Sequence, residues 1–280
     1  MSKWRPSKLN CLYVIPDIHG ADVLLENALK RILPLRKSDG GKDKIIFLGD
    51  YFDRGKDGHK VLDRLIGLKK KYGDKVICIC GNHELMLLES LGFIDCASPS
   101  AMYDMWMDNG GRNTLAGYCE RAGIRDAGDL SAGRAKDIIP KEHIEFLMNS
   151  LDGSYQEEEF VFVHGGCNPD DSPANYDIQS LAWDRSLFRF VMALIKQNEP
   201  IPWENKVVIC GHNTNGTGLP VIKDKYMMLD CGAPERLLVV EARSREAFMS
   251  LPNKTRLVKF ELKETVMAKS KGKPSFRRVQ

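Results

Sequence analysis

In the stretch Ile45-Ile46-Phe47-Leu48-Gly49-Asp50-Tyr51-Phe52-Asp53-Arg54-Gly55, an apolar run leads into a turn that carries two carboxylates and a guanidinium. The apolar half reads as a buried strand ended by glycine. The charged half has no place in a buried structural turn, because unpaired buried charge is expensive. Either a solvated turn with an Asp–Arg pair or a site for cations and an anionic substrate would account for it, so the other turns of the chain decide.

The same arrangement recurs along the sequence. Leu12-Tyr13-Val14-Ile15 stops at Pro16-Asp17-Ile18-His19-Gly20, and Val76-Ile77-Cys78-Ile79-Cys80 stops at Gly81-Asn82-His83-Glu84. Phe160-Val161-Phe162-Val163 stops at His164-Gly165-Gly166, and Val207-Val208-Ile209-Cys210 stops at Gly211-His212. Each turn alone has a bland explanation; Asn82, for example, is a good helix N-cap. Five together, each with a metal-compatible donor at a strand end, point to a site. If the strands share a sheet, their carboxyl ends form one rim, where open α/β sheets bind ligands. That rim gathers Asp17, Asp50, Asp53, Asn82, His19, His83, His164 and His212. The remaining histidines, His59 and His143, lie in or beside predicted helices without a flanking motif and read as surface residues.

Leu24, Leu25, Ala28, Leu29, Ile32 and Leu33 recur at helical spacing, as do Val61, Leu62, Leu65, Ile66 and Leu68. A polar loop over Arg36 to Lys44 separates the first helix from the next strand. Three successive strand–loop–helix units suggest crossovers and a sheet of parallel character. Residues 85 to about 155 change character. Met86, Met102, Tyr103, Met105, Trp106 and Met107 crowd a segment without a strand run; Asn109-Gly110-Gly111 reads as a turn, and Ile138 to Leu151 as helix. This is a mostly helical insertion beside the site, its Met and aromatic cluster read as helix packing rather than substrate contact. Strands return at Tyr226–Leu229 and Leu237–Val240, and Arg256–Leu262 alternates as a half-solvated edge strand does.

Composition bounds the function. With 43% hydrophobic and 28% charged residues, the 280-residue chain has the profile of a globular protein. It has no apolar run near the ~18 residues that span a bilayer and no secretory signal. The eight cysteines form no C-x-x-C pair. Cys11, Cys78, Cys80, Cys210 and Cys231 sit in or beside apolar runs, which indicates reduced thiols and a cytoplasmic location. Net charge is +3, yet Lys269, Lys271, Lys273, Arg277 and Arg278 crowd residues 265–280, a segment without acid. The body is therefore slightly acidic and not a nucleic-acid-binding surface; the tail reads as a flexible basic extension. One domain over 1–264 followed by that tail is the expected organisation.

Oxygen and imidazole donors without thiolate suit Mn²⁺, Fe or Zn²⁺ rather than a structural cysteine–zinc site. A carboxylate between two such sets can bridge ions ~3.5–4 Å apart, the spacing of two-metal hydrolases. The order of motifs resembles the phosphoprotein phosphatases among the calcineurin-like metallophosphoesterases. Gly-Asp-x-x-Asp-Arg-Gly, Gly-Asn-His-Glu and His-Gly-Gly are present unchanged, followed by Gly-His; Pro16 stands where the family has glycine. Trp106 with Asn109-Gly110-Gly111, Leu181-Ala182-Trp183-Asp184-Arg185, Gly211-His212-Asn213-Thr214 and Met228-Leu229-Asp230-Cys231-Gly232 are similar to the compact bacterial and phage, lambda protein phosphatase-like, branch.

The resemblance implies a β-sandwich of mixed sheets flanked by helices, within the α/β class. It implies that Asp17 and His19 hold one metal, that Asp50 bridges, and that Asn82, His164 and His212 complete a second site, with Mn²⁺ the expected ion. It further implies attack by a metal-bridging water, Arg54 and Arg185 as phosphate clamps, and His83 oriented by Asp53 as general acid. The leading expectation is hydrolysis of phosphoserine and phosphothreonine esters, on phosphoproteins or small phosphoesters. Symmetrical cleavage of diadenosine tetraphosphate is the rival. A catalytically dead binding module is the third possibility, opposed by the presence of every named residue.

Overall fold

The protein is described from a computed structural model over residues 10–33, 43–124, 131–252, 258–262 and 264–265. Residues 36–42 of the loop expected over 36–44, and the basic tail from 266 onward, lie outside the described residues, and Lys44 opens a strand instead. Among those described, no helix is long and apolar enough to cross a membrane.

The chain begins as the sequence predicts. Strand β1 (Leu12–Ile15), helix α1 (Asp22–Ile32), strand β2 (Lys44–Phe47), helix α2 (Gly58–Tyr72) and strand β3 (Val76–Cys78) follow in order, and the three strands run parallel. Alternate residues divide between two cores. Tyr13, Ile15, Ile45 and Phe47 pack toward α1 and α2, whereas Leu12, Val14, Ile46 and Leu48 face the other way. Both faces of these strands are buried, which is why the sequence is apolar without a break.

The insertion is helical as expected. It holds α3 (Asn82–Ser90), α4 (Pro99–Trp106), α5 (Arg112–Arg121), α6 (Ala132–Ile138) and α7 (Lys141–Asn149). A π-helical turn over Met107–Gly111 replaces the simple turn expected at Asn109-Gly110-Gly111 and joins α4 to α5. The helix expected from Ile138 to Leu151 breaks at Ile139-Pro140, because proline disfavours helical geometry in the residue before it. The insertion closes with an unexpected strand, β4 (Ser154–Glu157), antiparallel to β5 (Phe160–Val163).

Helices α8 (Ile178–Trp183) and α9 (Ser186–Gln197) precede β6 (Val207–Cys210), β7 (Val221–Lys223) and β8 (Tyr226–Met228). The chain then ends in β9 (Leu237–Glu241), β10 (Glu246–Ser250) and β11 (Val258–Glu261). The five turn-bearing strands do not share one sheet. The first sheet has the order β11-β10-β9-β1-β2-β3, with β11 at its edge as expected, and the second has β4-β5-β6-β8-β7. Both mix parallel and antiparallel pairs, and helices cover their outer faces. Phe162, Ile209 and Met227 of the second sheet meet Val14, Ile46 and Val240 of the first in the central core. Thr265 belongs to this fold, because its hydroxyl accepts the Ile222 N–H at 2.9 Å.

Phe162 is fully buried between the sheets. Phe162→Ala should therefore cost about 3–5 kcal/mol, read from the denaturant midpoint at unchanged slope. A loss below about 1 kcal/mol would mean that the sheets do not close on this ring.

His59 and His143 are not surface residues; they are 8% and 1% exposed. A sequence window shows each beside a helix but not that α2, α5 and α7 pack together. His143 Nε2 lies 3.0 Å from Asp63 Oδ1, and its Nδ1 lies 2.6 Å from the Tyr118 hydroxyl. Burial lowers both imidazoles below their ordinary value of 6.5, against the pull of Asp63 on His143. Below that pH the unfolded chain binds more protons at these rings than the folded one, so their contribution to stability falls as pH drops. Ring titration by NMR should give both midpoints below 6.5; a midpoint above it would mean that the Asp63 carboxylate outweighs burial.

Candidate metal centre and active site

The turns after β1, β2 and β3 meet those after β5 and β6 where the two sheets adjoin. The Asp50 carbonyl accepts the N–H groups of Ile18 and His19 at 3.0 and 2.9 Å. From the second sheet, the His212 N–H donates to both Asp17 carboxylate oxygens at 3.0 Å. Glu84, fully buried, fastens the turns of β2 and β3: its carboxylate accepts the N–H groups of Asp50, Tyr51 and Gly81 at 2.8–2.9 Å. The motif containing Glu84 is plain in the sequence, but its role is visible only in space.

The backbone bends sharply here. Nine described non-glycine residues have positive φ, and five of them are His19, Asp50, Asp53, Arg54 and His212. Each such residue costs about 1–3 kcal/mol and persists only where its surroundings over-determine it. Gly81 is required for a different reason: a Cβ there would lie 2.2 Å from Asp50 Oδ1.

Acceptor atoms converge on Asp50. His19 Nδ1 donates to the Phe52 carbonyl at 2.9 Å and His164 Nδ1 to the Leu48 carbonyl at 2.7 Å, so in the neutral form of each ring the lone pair is on Nε2. These Nε2 atoms lie 3.5 Å from Asp50 Oδ2 and 3.3 Å from Asp50 Oδ1. Asn82 Oδ1 is 3.1 Å from His164 Nε2. The Nε2 atoms of His19 and His212 are buried without a hydrogen-bond partner. Two groups of donors result, His19/Asp50/His83 and Asp50/His164/His212, each with its ligand atoms within 4.8 Å of one another and with Asp50 in common. Lone pairs aimed at one another in a buried space are what a cation requires, so these residues fit a divalent metal pair.

At His164 burial opposes the charged ring, but the Asp50 carboxylate prevails and raises it to about 10, so that ring must release a proton to ligate. At His19 and His212 the electrostatics already favour ligation. Burial lowers His19 to about 3 and His212 to about 2, which keeps both rings neutral, the form that ligates. Burial raises Asp17 well above the usual carboxylate range, and the Asp230 carboxylate adds to it. Asp230 is itself buried, with one oxygen unpartnered. Burial would also raise Asp50, but the His164, His83 and His19 rings outweigh it and hold that carboxyl well below its usual range. Asp17 stands outside both close groups and is tied instead to the His212 turn.

His83 Nδ1 lies 2.6 Å from Asp53 Oδ2. Burial disfavours the charged ring, yet Asp50 and Asp53 prevail and raise its pKa. Trp106 and Thr114 also bond Asp53. The Trp106 contact shows that the Met and aromatic segment does more than pack, whereas nothing in the sequence marks Thr114. Arg54 and Arg185 are exposed, and Arg185 donates to Asn213 Oδ1 at 3.1 Å, beside His212.

Among curated relatives, a symmetrical bis(5'-nucleosyl)-tetraphosphatase of Paracidovorax citrulli is 28% identical over 201 residues, covering 70% of this chain and 60% of that protein. A serine/threonine-protein phosphatase 4 catalytic subunit of Kluyveromyces lactis is 37% identical over 82 residues, 28% of this chain and 24% of that protein. The chain thus spans less than two thirds of these relatives' length. Among solved structures, a Saccharomyces cerevisiae protein serine/threonine phosphatase shares the fold with a TM-score of 0.50 at 16% identity, over 91% of this chain and 81% of that one. A candidate diadenosine tetraphosphatase shares it with a TM-score of 0.51 at 15% identity, over 91% and 95%. None of these singles out the compact bacterial and phage branch. Residues 12–232, from the first strand past the last convergent histidine, match the model of the calcineurin-like phosphoesterases, and the chain belongs to that family.

Proposed function

We propose that the chain hydrolyses phosphoserine and phosphothreonine esters with a pair of divalent ions, Mn²⁺ first and Fe or Zn²⁺ as alternatives. The convergence of unpartnered donors on Asp50 carries this reading. Asp17, His19 and Asp50 would hold one ion; Asp50, Asn82, His164 and His212 would hold the other. When bound, such a pair lowers the pKa of water toward neutrality and draws charge from a phosphoryl oxygen. Arg54 and Arg185, exposed at the rim, clamp phosphate oxygens with the bidentate geometry of guanidinium. His83 is placed next to the first ion's ligands, but the neighbouring carboxylates favour its protonated form, which suits a proton donor better than a ligand. Asp53 accepts from Nδ1, so Nε2 is the atom that delivers the proton to the leaving oxygen. One catalytic domain, expected over residues 1–264 and extended to Thr265 by its bond to Ile222, and a cytoplasmic location, consistent with eight free cysteines, complete the proposal.

A cleft of about 530 Å³ favours a second reading. Tyr176, Phe190 and Trp203 line it, and its wall at Asp184 and Ser186 flanks Arg185. Aromatic rings beside a phosphate clamp suit a nucleobase, and symmetrical hydrolysis of a dinucleoside tetraphosphate would use them.

A side-by-side rate comparison in Mn²⁺ decides between the two readings, with a phosphothreonine peptide in one arm and diadenosine tetraphosphate in the other. Faster turnover of the peptide supports the first reading, and faster turnover of the dinucleotide replaces it with the second. Turnover of neither would overturn both. Gly81→Ala pushes a methyl group onto Asp50 and should cost about 10²-fold in rate on either substrate, as misplacement by about 1 Å does. Wild-type rates in that variant would mean that Asp50 has room to move.

A further inference from the structure

Asp53 receives more side-chain donors than any bland turn residue needs. Trp106 Nε1 lies 3.0 Å from each carboxylate oxygen, and the Thr114 hydroxyl donates to Oδ1 at 2.6 Å. The same Thr114 oxygen accepts the Asp53 backbone N–H at 2.9 Å, so its single proton is committed to the carboxylate. With His83 on Oδ2 at 2.6 Å, both oxygens are fully engaged.

These donors come from one segment of the insertion, the end of α4 to the start of α5. That segment grips the neighbouring backbone too. Asn113 Nδ2 donates to the Arg54 carbonyl at 2.5 Å. Gly110 sits at φ 109°, and a Cβ there would stand 2.4 Å from the Arg54 nitrogen. Asp53 and Arg54, consecutive residues in left-handed backbone at φ 66° and 61°, are thus held from the insertion as well as from their own turn. Trp106 and Thr114 are 0% and 1% exposed, so water cannot substitute for either donor.

We propose that Trp106 and Thr114 are positioning residues for proton delivery: they lock the Asp53 carboxylate so that His83 is held by Nδ1 and presents Nε2 to the leaving oxygen. This rests on the phosphoester-hydrolase reading above. A residue that acts only through the general acid matters in proportion to how much the leaving group needs a proton. Loss of either donor should therefore spare esters with good leaving groups and slow those with poor ones.

The experiment uses the full chain in Mn²⁺ with p-nitrophenyl phosphate, phenyl phosphate and an alkyl phosphate, and measures metal content per chain alongside. Trp106→Phe and Thr114→Val should stay within about threefold of wild type on p-nitrophenyl phosphate and lose about 10–100-fold on the alkyl ester, as outer-shell losses do. Metal content should not change. Thr114→Ser, which keeps the hydroxyl, should restore the wild-type profile. Equal losses on all three esters, or no loss on the alkyl ester, would overturn the positioning role while leaving the hydrolase reading intact. If Thr114→Val does not fold, Trp106→Phe and Thr114→Ser carry the same comparison. A wild-type chain inactive on every ester would overturn the hydrolase reading and this proposal with it.

Discussion

Asp50→Asn is expected to lower kcat by about 10³-fold and to reduce the ions retained per chain. Asp50 is the member common to both donor groups and is 1% exposed. Its charge is the one that the His164, His83 and His19 rings stabilise against burial. Asparagine keeps the shape, and its Oδ1 can still accept the His83 N–H that Asp50 Oδ1 accepts at 3.1 Å. The fold should therefore survive while the site loses an anion. Lewis-acid stabilisation of a phosphoryl transition state is worth several kcal/mol, and each 1.36 kcal/mol is tenfold in rate, so about 4 kcal/mol corresponds to the expected loss. Elemental analysis and single-substrate kinetics on the same preparation check it. Full metal content with a rate within tenfold of wild type would remove Asp50 as the shared ligand.

His83→Asn should lose about 10²–10⁴-fold on a phosphothreonine peptide, the range for a general acid. On p-nitrophenyl phosphate, whose leaving group needs little protonation, the loss should be far smaller. The structural ground is the 2.6 Å bond from His83 Nδ1 to Asp53, which fixes the ring and frees Nε2. Parallel losses on the two substrates would show that His83 acts in binding or metal retention instead.

The metal-compatible donors of the candidate site were legible because each follows its own strand by a residue or a few. A pattern of apolar run, glycine and polar donor is local, and β1, β2, β3, β5 and β6 all obey it. The division of those strands between two sheets was not legible. Leu12, Tyr13, Val14 and Ile15 are all buried, so the alternation that would tell one face from the other carries no polar signal. His143 escaped for a related reason: its partners Asp63 and Tyr118 lie 80 and 25 residues away. Trp106 reaches Asp53 across 53 positions and Thr114 across 61, distances over which sequence spacing says nothing about contact.

The metal-compatible donors are shared between the sheets, with Asp17, His19, Asp50 and Asn82 following strands of the first and His164 and His212 following strands of the second. Unfolding separates them, so an ion that binds this set has no equal partner in the unfolded chain. By mass action, each tenfold rise in free ion above its dissociation constant adds about 1.4 kcal/mol per site to the unfolding free energy. On the proposed reading the melting temperature should become a titration curve for the cation supply, and a chain starved of that ion should be at once inactive and easier to unfold.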